Sequence, residues 1–250
     1  MRFLAGTLAT TALVYALACL GLYLLQRSFI FYPQPRRSGL DASVMKLQVE
    51  GAQVEVSTRA LAGPDAVVYF GGNAEDVSGS LPGLATAFPT HALYLMHYRG
   101  YGGSSGKPSQ AFVFADALAL FDRVHATHPN VVVVGRSLGS GVALHLASLR
   151  PATRLVLVTP YNSILELAKQ QFPFFPVDFL LTDRFESWRD AARITIPTTV
   201  IAADHDLVVP GHSTKRLLGH FRPGQVRHVV IPNTGHNTIS DDPAYIEAMR

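Results

Sequence analysis

The sequence is almost free of cysteine. Its single cysteine, Cys19, lies close to the N-terminus. The body of the chain therefore has no disulfide, no thiol nucleophile and no cysteine-ligated metal site, whichever compartment contains it. A nucleophile carried by the body must be a residue of another type.

The sequence also lacks a strong excess of charge of either sign. There are 21 Lys and Arg against 18 Asp and Glu, which gives a formal net charge of +3. No basic stripe interleaved with aromatic residues is present, so the composition argues against nucleic-acid binding. Of the 250 residues, 48% are hydrophobic, which is enough for one sizeable core in a single domain.

Charge is absent altogether from Phe3 to Leu25. This apolar run has the roughly 20 residues that a helix needs to cross the hydrocarbon layer. We therefore predict a transmembrane anchor over residues 1–27 and a globular domain over residues 28–250. A cleaved signal peptide is the alternative, although its apolar region is usually about 7–15 residues long. The flanking arginines favour a cytoplasmic body slightly and leave the side of the membrane open.

Beyond the anchor, strand patterns alternate with helical patterns. Two stretches of alternating polarity, residues 44–49 and 52–58, predict an antiparallel pair. Near-continuous apolar runs predict six further strands, at residues 66–72, 92–100, 131–135, 155–160, 198–204 and 228–233. Helical patterns lie between them, near residues 75–87, 110–128, 138–150, 162–171 and 211–220. The alternation is typical of an α/β fold in which helices flank a mostly parallel, eight-stranded sheet.

Residues 161–188 interrupt this alternation. They contain Phe172, Phe174, Phe175 and Phe179 together with two prolines, and they predict a short cap insert. The same phenylalanines could instead form core beneath a loop. The sequence leaves these two interpretations open.

The pattern G-x-S-x-G occurs twice, around Ser104 and around Ser137. A nucleophile elbow needs a strand that enters a sharp turn and a helix that leaves it, so that the turn raises the serine oxygen above the sheet. Ser137 meets both conditions, because VVVV precedes GRSLG and a helical pattern follows it. Ser104 is followed by Ser-Gly-Lys-Pro, which cannot begin such a helix. We predict Ser137 as the nucleophile and Ser104 as part of a loop whose glycines allow close approach.

A serine nucleophile needs a histidine base and a carboxylate that orients the base. In this architecture the chain order is Ser, then Asp or Glu, then His, each on a loop at the carboxyl end of a later strand. His236 lies just beyond the last predicted strand. Asp204 and Asp206 both follow the strand before it. Asp206 is preferred because the apolar segment after it would bury its carboxylate near the histidine.

Two backbone positions are expected to form an oxyanion hole. One donor is the N–H of Leu138, directly after the nucleophile, and the other comes from the loop after the first parallel strand. That loop reads Gly71-Gly72-Asn73-Ala74, and its glycines let the backbone approach a ligand. Asn73 is the preferred second donor.

These motifs together resemble the α/β-hydrolase superfamily, and more narrowly its small, membrane-anchored branch similar to serine aminopeptidase-like hydrolases and protein depalmitoylases. The resemblance covers nearly the whole chain from Phe29 onward. It is carried, in the family's order, by FYP (31–33), GGNAED (71–76), YRGYGGSSGKPS (98–109), GRSLGSG (135–141), DLVVP (206–210) and GHN (235–237). The resemblance implies a catalytic triad with oxyanion donors, formed by Ser137, Asp206, His236, Asn73 and Leu138.

Two features depart from the family's pattern. Gly71 stands where the family usually has histidine, so the oxyanion loop loses a side chain that helps to fix it. The depalmitoylase relatives carry an N-terminal cysteine cluster for lipidation, which a hydrophobic helix with one cysteine replaces here. The resemblance therefore does not favour depalmitoylation over the hydrolysis of other acyl bonds.

The expected activity is that of a serine hydrolase that cleaves ester-like acyl bonds in a carboxylester, thioester or lipid through an acyl-enzyme. No metal or organic cofactor is expected, and the expected partners are an acyl substrate and a membrane. An aminopeptidase-like activity on the same triad stays open, because four acids of the insert could hold a substrate amine: Glu166, Asp178, Asp183 and Glu186. A membrane-tethered binding protein without catalysis is the other alternative. The oligomeric state is left open.

Overall fold

A single eight-stranded sheet organises the chain. The computed structural model describes residues 2–37 and 43–250. The strands are β1 (Ser43–Val49), β2 (Ala52–Arg59), β3 (Asp65–Phe70), β4 (Ala92–Met96), β5 (Asn130–Arg136), β6 (Arg154–Val158), β7 (Thr198–Ala203) and β8 (Val226–Ile231). Their order across the sheet is β1-β2-β4-β3-β5-β6-β7-β8. β2 runs antiparallel to both its neighbours, and β3 to β8 are mutually parallel. The predicted antiparallel opening pair and mostly parallel sheet are confirmed.

Nine α-helices accompany the sheet in the described part of the chain. They are α1 (Arg2–Ile30), α2 (Leu81–Ala87), α3 (Gln110–His125), α4 (Leu138–Ala147), α5 (Ile164–Gln171), α6 (Val177–Leu180), α7 (Ser187–Ala191), α8 (Gly211–Leu218) and α9 (Pro243–Met249). Buried residues of α3, α4 and α8 belong to one hydrophobic cluster, and those of α2 and α9 belong to a second. The helices thus cover both faces of the sheet.

The central strands contain uninterrupted apolar runs, because both of their faces are buried. In β5, Val131 and Val133 pack into the first cluster, while Val132 and Val134 pack into the second. Side chains of a strand alternate between the two faces of a sheet, so a strand covered on both sides needs an uninterrupted hydrophobic run. The four valines satisfy this requirement.

Several helix predictions differ from the structure at their boundaries. The helix expected near residues 75–87 begins as a 3₁₀ turn (Val77–Ser80), and α2 begins at Leu81 with Pro82 in its first turn. The sequence patterns missed α6, α7 and α9, which have four to seven residues. An amphipathic repeat needs at least two turns to be recognisable, so helices this short leave little periodic signal. For α9, the Asp-Pro start is a signal that could have been used, because Asp242 caps the helix.

α1 is long and apolar enough to cross a membrane. The candidate span runs from Phe3 to Ile30, and its length and composition are also compatible with a signal sequence. The last turns of α1 contact residues 161–188, which we call the cap segment. Arg27 Nε donates to Asp183 Oδ2 at 2.8 Å, and Gln26 Oε1 accepts from Thr182 N at 2.7 Å.

Candidate active site

Ser137 occupies the sharp turn between β5 and α4. Its backbone angles are φ 50° and ψ −118°, a region that residues with a Cβ rarely adopt and that costs about 1–3 kcal/mol. The surroundings hold it there, because Ser137 N donates to Val158 O at 2.9 Å and Ser140 Oγ donates to Ser137 O at 2.7 Å. The turn therefore has the strained geometry that the strand–turn–helix pattern predicts.

The two glycines that flank this serine are required by packing. A Cβ on Gly135 would lie 2.3 Å from Gly139 O, and a Cβ on Gly139 would lie 2.0 Å from Phe70 O. Both distances are far below van der Waals contact. The glycines thus allow α4 to start directly against the ends of β3 and β5.

The structure brings the three predicted side chains into one hydrogen-bonded row. His236 Nε2 lies 2.9 Å from Ser137 Oγ, and His236 Nδ1 lies 2.7 Å from Asp206 Oδ2. The side chains of His236 and Asp206 are 8% and 4% exposed. They meet because Ser137, Asp206 and His236 follow β5, β7 and β8, and the carboxyl ends of these parallel strands share one edge of the sheet.

Asp206 is held by backbone donors of the apolar segment that follows it. Its Oδ1 accepts from Val208 N at 2.9 Å and from Val209 N at 2.7 Å, which leaves Oδ2 for the histidine. The side chain of Asp206 is buried, as expected, and Val209 of the following segment is buried with it, whereas Leu207 is 95% exposed. This geometry agrees with the preference for Asp206, because the segment after it encloses the carboxylate near His236.

The alternative acid, Asp204, has a different structural position. It accepts from Asn233 N at 2.9 Å and from Thr234 N at 3.1 Å, and it lies 2.8 Å from His205 Nδ1. The N–H of Asn233, followed by that of Thr234, lowers the pKa of Asp204. Asp204 therefore fixes the loop that carries His236. The side chain of His205 is 70% exposed.

The predicted oxyanion residues line the same cavity as Ser137. Asn73 O accepts from Tyr101 Oη at 2.6 Å and from Tyr32 N at 3.0 Å, which fixes the loop after β3. Leu138 opens α4, so its N–H is one of the first helical donors that have no acceptor within the helix. Both backbone groups are held by rigid elements.

Glu75 and Arg136 contact the loops of the candidate site and are absent from the residues predicted from the sequence. Glu75 Oε2 accepts from Gly72 N at 2.8 Å and from Arg136 Nη1 at 3.2 Å. Arg136 Nη2 in turn donates to His236 O at 3.3 Å. One carboxylate thus connects the Asn73 loop, the elbow and the histidine loop. The signal was present, since Arg136 lies inside the motif and Glu75 two residues after Asn73.

The side chains of Glu75 and Val77 fill the space beside Gly71. A Cβ on Gly71 would lie 2.5 Å from Val77 Cγ1 and 3.0 Å from Glu75 Cδ, so a larger residue there is incompatible with this position of Glu75. Glu75 Oε1 accepts from Tyr69 Oη at 2.7 Å. Burial, and then the Glu75 charge, raises the pKa of Tyr69 well above its ordinary value. Tyr69 therefore stays a neutral donor to Glu75.

Ser104, the other G-x-S-x-G serine, has a structural position on the opposite side of β4. Its Oγ donates to His97 O at 2.9 Å and accepts from Glu55 N at 2.8 Å. A Cβ on the neighbouring Gly103 would lie 2.5 Å from the Glu55 carboxylate. The glycines therefore permit close approach, as predicted, and what approaches is β2.

A cavity of about 430 Å³ lies over Ser137, Leu138 and Asn73. Its walls come from α1, from the cap segment and from the loop after Asp206, and none of the lining residues is charged. The phenylalanines of the cap segment divide between two environments. Phe172 lines the cavity and, with Phe175, packs against the first hydrophobic cluster, whereas Phe174 and Phe179 are 85% and 87% exposed. Each of the two interpretations therefore holds for part of the set.

The comparisons with known proteins agree with this architecture. The family model described as alpha/beta hydrolase fold matches residues 66–190. The chain belongs to the α/β-hydrolase fold family. It is therefore a hydrolase by family, and the resemblance inferred from its motifs is confirmed.

Three similar proteins illustrate the relationship. An uncharacterized protein of Mycobacterium tuberculosis is 35% identical over 193 residues, which cover 74% of this chain and 68% of that one. Lysophosphatidylserine lipase ABHD12 of Mus musculus is 30% identical over 183 residues, which cover 64% of this chain and 46% of the lipase. The solved structure of alpha/beta hydrolase domain-containing protein 10 from mouse has a TM-score of 0.65 at 17% identity, covering 82% of this chain and 94% of that one. At this low identity, the similarity to the mouse structure shows a shared fold.

Proposed function

We propose that the protein is a serine hydrolase that cleaves acyl esters or thioesters through a covalent acyl-enzyme. The observation that carries the proposal is the row Ser137–His236–Asp206, with separations of 2.9 Å and 2.7 Å, in which Ser137 lines a cavity without charged residues in its wall. A serine hydroxyl is a weak nucleophile until a positioned base removes its proton. The row supplies that base and a carboxylate to orient it.

The reaction follows from this geometry. His236 Nε2 takes the proton of Ser137 Oγ as the oxygen attacks the acyl carbon, and Asp206 holds the imidazole in the tautomer that leaves Nε2 free to accept. The protonated imidazole then gives its proton to the leaving oxygen or sulfur. In the second half, His236 activates a water molecule that hydrolyses the acyl-enzyme and restores the serine.

The backbone N–H groups of Leu138 and Asn73 are proposed to stabilise the oxyanion of each tetrahedral intermediate. Each such donor typically contributes about 3 kcal/mol to the transition state. Glu75 supports this role, because it occupies the N–H of Gly72 and fixes the loop that presents Asn73.

The lining of the cavity favours an acyl substrate over a charged metabolite. Its volume of about 430 Å³ lies within the range usual for small-molecule sites. The name of the mouse relative, a lysophosphatidylserine lipase, agrees with a lipid ester. The length of the acyl chain is left to experiment.

The aminopeptidase alternative has less support. A peptidase of this kind needs an acid that can hold the substrate amine, and each of the four candidate acids lies close to a cation. Asp183 pairs with Arg27, Asp178 with Lys169, Glu186 with Arg189, and Glu166 with Arg216. None of them lines the cavity over Ser137.

We further propose that α1 stays attached as a membrane anchor. A cleaved signal peptide has no reason to form specific contacts with the mature domain. Gln26 and Arg27, however, form hydrogen bonds with Leu180, Thr182 and Asp183 of the cap segment. The division into an anchor over residues 1–27 and a hydrolase domain over residues 28–250 belongs to this proposal.

A fluorophosphonate probe tests the proposed function without knowledge of the substrate, because the probe reacts with an activated serine. We expect the detergent-solubilised protein to be labelled, and Ser137→Ala and His236→Ala to abolish labelling. Ser104→Ala is the matched control, since it removes the serine of the other G-x-S-x-G motif, and it should keep labelling. A folded wild-type protein that is not labelled would contradict the proposal and favour a tethered binding protein.

A further inference from the structure

α1 forms part of the wall of the cavity. Leu22, Gln26, Phe29 and Ile30 line it together with Ser137. These four positions follow the i, i+4, i+7, i+8 spacing that places residues on one face of a helix. A helix that served solely as a tether would have no need to present one face to the space above the nucleophile.

The contact between α1 and the cap segment extends along much of the helix. The Arg27–Asp183 pair lies at one end, where the Asp183 side chain is 6% exposed. At the other end, Tyr15 Oη donates to Phe174 O at 2.9 Å, and the rings of Tyr15 and Phe175 stack at a centroid distance of 5.7 Å.

The position of Tyr15 along α1 indicates how deep the tip of the cap segment lies in the membrane. A rise of 1.5 Å per residue places Tyr15 about 18 Å along the helix from Arg27. Residues 3–26 carry no charge. If residues near Arg27 lie at the membrane surface, then the tip of the cap segment, which contacts Tyr15, lies well inside the hydrocarbon layer.

The surface around the cavity has the composition that this position requires. Phe174, Phe179 and Leu207 are 85%, 87% and 95% exposed, and Val208 is 56% exposed. Leu207 and Val208 line the cavity themselves, while Phe174 and Phe179 are close in sequence to the lining residues Phe172 and Leu180. We call these four exposed side chains the apolar rim. Clustered exposed apolar side chains are costly in water and mark a surface that another apolar phase covers.

We propose that the apolar rim is inserted in the lipid bilayer, so that the cavity opens into the membrane and receives its acyl chain laterally, between α1 and the cap segment. The continuity of the rim with the transmembrane helix identifies the bilayer as the phase that covers it. The acyl-substrate part of this inference rests on the proposed function, whereas the insertion of the rim does not.

Depth-dependent fluorescence tests the insertion. Phe174→Cys, Phe179→Cys and, as a control, Leu149→Cys are made in a Cys19→Ser background, labelled with nitrobenzoxadiazole and reconstituted into phosphatidylcholine vesicles. Leu149 is an exposed apolar residue beyond the far end of α4 from Ser137. We expect nitroxides on the acyl chains to quench the labels at positions 174 and 179, and aqueous iodide to quench the label at position 149.

Three results would overturn the proposal. The first is iodide quenching at positions 174 and 179 equal to that at position 149. The second is protection of these positions from iodide without nitroxide quenching, which would indicate that a second copy or another protein covers the rim. The third is a membrane-extracted chain whose mass shows that α1 has been removed.

Activity tests the lateral route separately. For Phe174→Asp/Phe179→Asp we expect hydrolysis of p-nitrophenyl palmitate in vesicles to fall at least about tenfold, because carboxylates are excluded from hydrocarbon. Hydrolysis of p-nitrophenyl acetate in solution and fluorophosphonate labelling should be unchanged, and Leu149→Asp should alter none of the three. Equal loss on both esters, or no loss on either, would overturn the lateral route. Absence of fluorophosphonate labelling in the wild type would instead contradict the proposed function, and the fluorescence result would still stand.

Discussion

Glu75 has the largest expected effect among single residues that do not touch the reacting atoms. It binds the Gly72 N–H, the Tyr69 and Ser80 hydroxyls and the Arg136 guanidinium. Burial would lower the pKa of Arg136, but the nearby Tyr69 and Glu75 outweigh this effect and raise it. The charge on Arg136 therefore persists at every working pH, and its bond to the histidine loop persists with it.

We expect Glu75→Ala to lower kcat for p-nitrophenyl acetate about a hundredfold with little change in KM. A displaced oxyanion loop loses transition-state contacts, and misplacements near 1 Å have effects of this size. Steady-state kinetics in detergent measure the change. Glu75→Gln, which keeps an acceptor for Gly72 N, should recover part of the loss.

The matched control is Glu247→Ala, which removes an exposed glutamate of α9. Its kcat should equal that of the wild type. If Glu75→Ala lowers the melting temperature and leaves kcat unchanged, Glu75 stabilises the fold without positioning the site.

At the scale of secondary-structure elements, the approach of α4 to β3 decides whether the elbow can form. Gly139 lies in the first turn of α4, directly against the backbone of Phe70. α2 contains a glycine in a different setting, because the nearest atom to a Cβ on Gly83 is Ile246 Cδ1, 3.9 Å away. The two helices thus provide a comparison between a glycine that packing requires and one that it does not.

The two substitutions to alanine should have opposite effects on stability. Gly139→Ala should destabilise the protein by about 3 kcal/mol, because α4 must move away from β3. Gly83→Ala should stabilise it by about 1 kcal/mol through helix propensity. Thermal unfolding in detergent measures both, and a stable, labelled Gly139→Ala protein would be inconsistent with the close packing of the elbow.

The elements that were predictable from the sequence are those whose signal is local. VVVV at residues 131–134 predicts a strand buried on both faces, and the glycines around Ser137 predict the elbow that follows it. The cap segment was not predictable in detail, since α6 and α7 are too short for a periodic pattern. It also contacts α1, which lies more than a hundred residues away in the sequence.

The residues of the candidate site likewise include some that the sequence predicts and some that it does not. Ser137, Asp206 and His236 follow strands, so their convergence can be predicted from the order of strands and loops. The contacts of Arg136, at the end of β5, with Glu75 and with His236 O depend on side-chain directions in segments that are far apart in the sequence. Both Glu75 and Arg136 lie in or beside a motif, but no single stretch of sequence encodes their contact.

The whole molecule is expected to lose stability on acidification, and His97 is one identifiable cause. Its side chain is buried, with Nε2 2.8 Å from Ser57 Oγ. Burial lowers the pKa of His97, although the carboxylates of Asp76 and Glu55 offset part of this effect. Because the folded pKa lies below the unfolded value of about 6.5, the unfolded chain binds the proton more readily.

Stability that depends on neutral His97 is therefore fully present above pH 6.5 and is lost as the pH falls toward the folded pKa. His97→Gln, which cannot titrate, should lose less stability between neutral and mildly acidic pH than the wild type. Melting temperatures across this range measure the difference between the two slopes. If the melting temperatures of the wild type and His97→Gln fall equally with pH, His97 titrates alike in the folded and unfolded states.

The docking of α1 on the cap segment also bears on how the enzyme can be prepared. Expression without residues 1–27 is the usual route to a water-soluble fragment of an anchored protein. Here that deletion would remove Leu22 and Gln26 from the cavity wall and would leave the buried carboxylate of Asp183 without its guanidinium partner. Such a fragment would lack part of the cavity wall. We expect its selectivity among acyl-chain lengths to differ from that of the intact protein.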